Sequence, residues 1–480
     1  MWWYNTTMNI LLIVFILFIG FLAFFSARWA VQYFGLSCFE QIVFHLKVPL
    51  EGANPQFLID WVKLCVTKAI ILAIALGSLI YVTLGTDAER IAEIGLAILV
   101  ILAMHEVGIF GWMFNLFRKT SFYEENFVDA GEVKLTFPEK KRNLIHIYVE
   151  SLENTYSNVE KGGNYTDDLL DPISTIALEN VHFSHTTKLG GAKEISGTGW
   201  TTGGLVGQSA GIPLLVPLNC KRFSDKQPFF PGLTSLGDIL KAKGYNLEYL
   251  IGSDAAFGGR EYYYKDHGDF KIFDLTYARN QGFIEKDYKE FWGYEDRKLF
   301  SFAKHEILEL AKKDEPFYFA MLTVDTHHPY GYVDKGCIDT YKERLSNVIA
   351  CDIKELTEFI HWLQAQEFYE DTTVVISGDH LSMAAQYIHS TYDKQYERTT
   401  FNCFLNSVVK PTHPYNRQFL TLDMFPTVLA SMGVQIEGER LNLGTNLFSD
   451  KKTLVETYGF TYVDKELRKQ SSYYKQKLMK

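Results

Sequence analysis

No charged residue precedes Arg28, and Met8–Phe25 reads MNILLIVFILFIGFLAFF. Crossing a bilayer takes about 20 apolar residues, and this run is long enough to do so. It has no small-residue cleavage site, so a retained helix is expected rather than a removed signal peptide. Two further apolar runs follow: Ala69–Leu84, AIILAIALGSLIYVTL, and Ile94–Phe114, IGLAILVILAMHEVGIFGWMF. Residues 1–118 are thus expected to be a membrane anchor of three spans. Phe34–Asp60, between the first two runs, is mixed in polarity and is expected to lie on the membrane surface. Glu106 sits inside the third run and near a helix end, where an interfacial place without a catalytic role is expected. Lys and Arg are too sparse around the runs to orient them by charge.

At 480 residues the chain is too long for one ordinary core, so a second unit is expected. Past Arg118 the composition becomes that of a water-facing protein. Residues 119–142 are expected to form a charged and aromatic connector, 143–450 the main folded domain, and 451–480 a tail. Within it Tyr462–Lys480, rich in Tyr, Lys and Gln, is read as a solvated helix in preference to a segment touching anionic lipid head groups. The net charge of −10 and the lack of a long basic block argue against nucleic acid as a partner. The 15% aromatic share suits a membrane–water interface or a sugar-binding surface. Six cysteines form no CxxC pair, so a thiolate zinc site is not expected. Cys337 and Cys351 stand 14 apart, and either a disulfide or two free thiols fits that spacing.

From Asn143 onward, strand-like runs alternate with helix-like ones. The strands are Leu144–Val149, Leu247–Ile251, Pro316–Val324 and Thr372–Ser377. Helical patterns cover Gly232–Lys243, Asp296–Lys313 and Tyr341–Gln366. Alternation of this kind predicts an α/β fold with a mostly parallel sheet between helices. Ligands of such sheets bind beyond the carboxyl ends of the strands. Those ends carry Glu150-Ser151, Gly252-Ser253-Asp254, Asp325-Thr326-His327-His328 and Gly378-Asp379-His380. A lone Asp after a strand is ordinarily a turn residue. Four such ends together point to a site. Glu150, Asp379 and His380 make a mixed oxygen and nitrogen set that suits Mn²⁺ or Zn²⁺, and Mg²⁺ less well. Three protein ligands leave a position for a reacting oxygen.

A hydroxyl for that position comes from Ser196–Gly204, SGTGWTTGG. The following residues predict a helix from about Thr202 to Ala210. A threonine at its N-terminus meets unpaired N–H groups that favour phosphate, and a metal would ready its hydroxyl as a nucleophile. Thr201 alone would read as an N-cap. Thr198 is the rival nucleophile and Thr202 a neighbour that helps start the helix. The glycines are read as letting backbone approach the substrate.

Asn143–Tyr156, Gly197–Pro213, Thr323–Gly331 and Val374–Met383, taken in order, resemble the phosphoglycerol transferases of the lipoteichoic acid synthase-like family. That family belongs to the alkaline phosphatase and sulfatase superfamily, whose C-terminal pattern Asp423–Phe448 resembles. The resemblance covers about Asn143 to Phe448 and the plan of an N-terminal anchor. It implies Thr201 as nucleophile and metal ligand, with Glu150, Asp379 and His380 as the other ligands of one divalent ion, Mn²⁺ foremost. It implies Arg260 as a substrate-phosphate ligand and His327 beside the phosphoryl group, with His328 as its close rival. The sulfatase C/S-x-P-S-R motif is replaced by Thr201-Thr202-Gly203-Gly204, which disfavours sulfate-ester hydrolysis, and no second zinc set is apparent.

The implied reaction moves phosphoglycerol from phosphatidylglycerol through a phosphothreonine to a sugar hydroxyl of a periplasmic or cell-surface glycan. The implied location is a bacterial inner membrane, with the catalytic domain facing the periplasm and the N-terminus in the cytoplasm. A phosphoethanolamine transferase acting on a surface glycan or lipid A would share the same core, and an inactive glycan- or lipid-binding membrane protein is the reading from another class. His389 is a further candidate to line the cleft.

Overall fold

The computed structural model describes residues 2–36, 38–49, 56–224, 227–384, 387–388, 393 and 395–480. His389 lies outside the described residues. The chain divides into two compact units, Met1–Phe39 with Asn54–Leu116, and Glu40–Ala53 with Phe117–Lys480.

The first unit is helical. Helix α1 (Trp2–Tyr33), α2 (Thr67–Leu84) and α3 (Ala88–Glu106) pack along one another, and α4 (Ile109–Leu116) follows α3. Small residues let the backbones close up, as in membrane helices where burial in water gives no driving force. A Cβ on Gly77 would lie 2.8 Å from Val14, and one on Gly20 would lie 2.9 Å from Leu99. Ile71, Leu79, Val82, Ile98 and Ile101 face outward. Among the described residues, two helices are long and apolar enough to cross a membrane, Asn9–Tyr33 and Gln56–Leu84, or three if the bent pair that follows is one span. The third apolar run differs from expectation. It is broken after Glu106, and α3 and α4 meet at 72°, with Gly108 at φ +72° in the break. Glu106 is the last residue of α3.

Phe34–Asp60 also differs from a single surface segment. Gln56–Asp60 begins the second long apolar helix, while Glu40–Ala53 clusters with the second unit. There Val43, Phe44 and Val48 are buried, Phe44 against Trp200 and Phe229. The apolar face that sequence alone would lay on lipid is covered by protein.

The core of the second unit is a six-stranded sheet of β1 (Asn143–Val149), β2 (Asn246–Ile251), β3 (Lys271–Phe273), β4 (Phe317–Leu322), β5 (Thr372–Gly378) and β6 (Asn402–Leu405), in the order β3-β2-β4-β1-β5-β6. All neighbours are parallel except β5 and β6. The four predicted strands are its four longest. Their near-continuous apolar runs suit strands covered on both faces, and β1, β4 and β5 are buried almost throughout. Helices α5 (Thr201–Ala210), α6 (Arg260–Asp266), α7 (Asp296–Ala311) and α8 (Arg344–Gln364) complete the elements that position the site. Cys337 and Cys351, the latter on α8, form a disulfide with Cα atoms 5.5 Å apart.

The outer segments are integral to this unit. In the connector, Phe122 and Tyr123 are buried and Leu135–Thr136 pairs with Gln435–Ile436. The tail is not a solvated helix. The buried Tyr474 hydroxyl donates to the Pro213 carbonyl (2.8 Å) and accepts from the Leu215 amide (2.9 Å). Asp464 accepts from the Ser196 amide at 2.8 Å.

Candidate active site

Strands β1 and β5 lie in register, Val149 opposite Gly378, so the next residues of each, Glu150 and Asp379-His380, emerge together. One ligand atom from each of Glu150, Asp379 and His380 lies within 4.8 Å of the others, and all three residues are buried. His380 Nε2 is 3.5 Å from Glu150 Oε1 and 3.4 Å from Asp379 Oδ2. Its Nδ1 faces the Leu381 carbonyl at 2.8 Å. The backbone oxygen can only accept, so Nδ1 carries a proton and Nε2 is the nitrogen turned to the carboxylates.

Ser151 binds both acids. Its hydroxyl donates to Glu150 Oε1 (2.6 Å) and its amide to Asp379 Oδ1 (2.8 Å), which also accepts from the His380 amide (2.8 Å). It does so at φ +58°, a conformation uncommon outside glycine. Asp379 Oδ2 is buried without a hydrogen-bond partner.

This set fits a divalent cation. A buried carboxylate oxygen with no donor, a second carboxylate and a fixed imidazole nitrogen converge, and such oxygen and nitrogen donors suit Mn²⁺ or Zn²⁺. The electrostatics agree. Burial, and then the neighbouring Glu150 charge, push Asp379 up to about 8. Burial alone would lower His380, but Asp379, Glu150 and Glu194 outweigh it and hold the ring at about 9. Burial would raise Glu150, yet His380, His327, Ser151 and Arg260 bring it below its ordinary value. Two buried carboxylates held this close repel one another when both are ionised, and a cation relieves that repulsion.

Thr201 is the first residue of α5. Its Oγ1 stands 3.5 Å from Glu150 Oε2 and 3.4 Å from His380 Nε2, and it is partly exposed. Trp200, at the N-cap, supplies no side-chain cap, and the first-turn amides of a helix have no intrahelical acceptors. Thr198, by contrast, is wholly buried. Its hydroxyl donates to the Ile195 carbonyl (2.9 Å) and accepts from the Ile195 amide (3.0 Å). Thr202 donates to the Gly258 carbonyl at 2.8 Å, tying α5 to the loop before Arg260. The glycines have a different use from the one expected. A Cβ on Gly204 would lie 2.1 Å from the Asp379 carbonyl oxygen, so Gly204 lets the helix press on the Asp379 backbone. Gln208 Nε2 donates to the carbonyls of Gly378 and Asp379 (2.8 and 3.1 Å), fixing the same contact.

Arg260 begins α6 and is buried at 6% exposure. Its Nη2 donates to the Ser253 hydroxyl and the Asp254 carbonyl (3.3 and 2.8 Å), and its Nε is buried with no partner. Among the described residues no carboxylate pairs with it. A buried guanidinium so placed is costly unless an anion joins it. His327 follows β4, with Nδ1 facing the His328 carbonyl at 2.7 Å. Burial lowers its pKa, against the pull of Glu150, so it is neutral at neutral pH. His328 is more deeply buried and stacks on it with ring centroids 4.5 Å apart. Ser151 and Gln208 were not singled out from sequence; only the position of Ser151 beside Glu150 offered a signal.

Residues 219–434 match the family model described as Sulfatase. That stretch holds Arg260, His327, Asp379 and His380, while Glu150 and Thr201 lie upstream. Phosphoglycerol transferase I of Escherichia coli (strain 55989 / EAEC) is 32% identical over 261 residues, covering 52% of this chain and 32% of the relative. The protein of that name from Shigella boydii serotype 18 matches equally. The chain spans about a third of the length of these curated relatives. Among solved structures, lipooligosaccharide phosphoethanolamine transferase A from Neisseria meningitidis is similar with TM-score 0.52 at 15% identity, over 89% of this chain and 84% of that one. Lipoteichoic acid synthase LtaP from Listeria monocytogenes is similar with TM-score 0.50 at 18% identity, over 68% and 80%. These two likenesses concern the fold. With its mostly parallel sheet and its strand-end site, the chain is similar to the Sulfatase family over residues 219–434 and to phosphoglycerol transferase I over about half its length.

Proposed function

We propose that the protein transfers phosphoglycerol from phosphatidylglycerol to a sugar hydroxyl of a cell-envelope glycan, with Thr201 as the nucleophile. The observation that carries this reading is the placement of the Thr201 hydroxyl, 3.4 and 3.5 Å from the His380 and Glu150 atoms of the cation set. Glu150, Asp379 and His380 would hold the cation, Mn²⁺ foremost, with Thr201 beside it. When bound, the cation supplies positive charge that lowers the pKa of the adjacent hydroxyl.

In the first step the Thr201 Oγ–P bond forms and the P–O bond to diacylglycerol breaks, with the hydroxyl proton ending on the diacylglycerol oxygen. In the second, a sugar hydroxyl attacks the phosphorus, the Thr201 Oγ–P bond breaks and the sugar proton returns to Thr201. Arg260 meets the charge on the phosphoryl oxygens and neutral His327 offers hydrogen bonding without a second fixed charge. Preplaced donors of this kind supply much of the catalysis in phosphoryl transfer.

A multi-pass anchor in a bacterial inner membrane with the catalytic unit facing the periplasm fits the apolar helices. The Cys337–Cys351 disulfide fits it too, since disulfides persist in oxidising compartments. The test is to offer membranes holding the protein labelled phosphatidylglycerol or labelled phosphatidylethanolamine. Release of diacylglycerol from the glycerol lipid, with label passing to glycan, is expected. Consumption of the ethanolamine lipid alone refutes the reading.

A further inference from the structure

Beside Arg260 and His327 runs a row of aromatic rings that the phosphoryl chemistry does not use. Glu290–Gly293 closes a tight turn, the Glu290 amide donating to the Gly293 carbonyl (2.7 Å) and the Gly293 amide to the Glu290 carbonyl (2.9 Å). Its tip is Phe291-Trp292. Phe291 sits at φ +54°, an outlier for a bulky residue, and such strain collects where a ligand site needs a side chain aimed. The turn is pinned to the end of β2. The Tyr294 amide donates to the Gly252 carbonyl at 2.9 Å, and a Cβ on Gly293 would lie 1.9 Å from that same oxygen.

The pinned tip sets four partly exposed rings along the site. Trp292 lies 4.8 Å from the His327 ring and 5.4 Å from Phe257. Phe257 in turn stacks under the Arg260 guanidinium at 5.6 Å. Phe291 lies 6.4 Å from His327 and, on its other side, 6.2 Å from Tyr332 with the rings inclined by 23°. Glu290 opens the turn beside Phe291, and the Tyr332 amide donates to the Asp325 carbonyl at 2.7 Å. Burial, then the charges of Glu290, Glu295, Asp334 and Asp325, raise the Tyr332 hydroxyl above its ordinary range.

Aromatic faces edged by carboxylates match one chemistry. A neutral sugar ring presents C–H groups on its faces, which pack on π surfaces, and hydroxyls on its rim, which donate to carboxylates. A hydroxyl rim gives the Glu290 carboxylate, at the base of the turn, donors that an acyl chain lacks, while Glu295 and Asp334 already pair with Lys298 and Arg297. We propose that Phe257, Phe291, Trp292 and Tyr332 form the acceptor subsite, stacking a neutral sugar ring of the glycan beside His327 and Arg260. This rests on the reading of the protein as a glycan-directed transferase.

The test uses the full chain in lipid nanodiscs, with neutral gluco-oligosaccharides as the probe. Calorimetry reads oligosaccharide binding, and labelled phosphatidylglycerol reads how phosphoglycerol divides between glycan and water. F291G is the key variant, because glycine takes φ +54° without strain, so its melting temperature stays at or above that of the wild type. F291G and W292A are each expected to weaken oligosaccharide binding by about tenfold, the scale of one lost aromatic contact, and to lower the glycan-to-water ratio similarly. Unchanged oligosaccharide binding in both variants overturns the proposal. So does a fall in glycan transfer and water transfer by the same factor. If the wild type cleaves no phosphatidylglycerol yet binds oligosaccharide in an F291G-sensitive way, the donor reading fails while the subsite stands.

Discussion

Gly204→Ala tests how closely the site depends on one helix contact. The added Cβ would sit 2.1 Å from the Asp379 carbonyl oxygen. Contacts under 3.0 Å are essentially never seen, so helix and strand must part by about 0.9 Å (3.0 − 2.1). Neither side yields cheaply, because the opposing atom is backbone and Gln208 binds the same carbonyl. Thr201 lies three residues earlier on α5 and moves with it, away from Glu150 and His380. A misplacement of about 1 Å at a reacting group costs on the order of 10²-fold in rate. Overpacking costs about 1–3 kcal/mol, and alanine in a helix returns about 1 kcal/mol over glycine, so the variant folds. Gly207→Ala is the control, since its Cβ would meet the Thr198 methyl at 3.0 Å, which asks for a shift of a few tenths of an ångström from a side chain rather than from backbone. Diacylglycerol release from phosphatidylglycerol in purified protein should fall about 100-fold in Gly204→Ala and only severalfold at most in Gly207→Ala. Equal activities in the two variants, with both folded, refute the reasoning.

Other consequences follow from the same geometry. Arg260→Met removes a buried cation that lacks an ion-pair partner, so thermal unfolding should move to higher temperature while donor cleavage falls by at least about tenfold, the trade expected of a strained site; a lowered melting temperature counts against it. Mn²⁺ added to chelated protein should raise the melting temperature by linkage, and should fail to do so in Asp379→Ala; an equal rise in both would place the cation elsewhere. His146 is buried, with Nε2 3.0 Å from the Ser377 hydroxyl, and burial holds its pKa down to about 3. The unfolded chain binds that proton near pH 6.5, so the stability is complete above about 6.5 and is lost as pH falls toward 3, reaching about 2 kcal/mol at pH 5. In His146→Leu, denaturation measured between pH 7 and pH 5 should show a shallower loss than wild type by that amount.

Much of the catalytic unit is legible in the residues themselves. Leu144–Val149 and Thr372–Ser377 read as strands because each is a short run rich in β-branched and apolar residues, and the polar residues directly after them fall at the sheet edge. What escapes is whatever depends on distant partners. Glu40–Ala53 has the same mixed pattern whether it meets lipid or protein, and only the fold shows Phe44 against Trp200. The tail's tyrosines look like a wet helix until Tyr474 is seen capping Pro213 and Leu215. Asn402–Leu405 is too short to read as a strand without its partner β5. The glycines of SGTGWTTGG announce close approach, but not to what: Gly204 meets the Asp379 backbone. Choosing among the threonines needed the hydrogen bonds that occupy Thr198.

The central claim is that Thr201 carries the phosphoglycerol between donor and acceptor. Protein incubated with glycerol-labelled phosphatidylglycerol and no glycan, quenched in acid, digested and sequenced by mass spectrometry tests this most directly. The account predicts labelled phosphoglycerol on Thr201, absent from Thr201→Ala and discharged when glycan is added before quenching. Label on Thr198, or robust glycan labelling by Thr201→Ala, would contradict it.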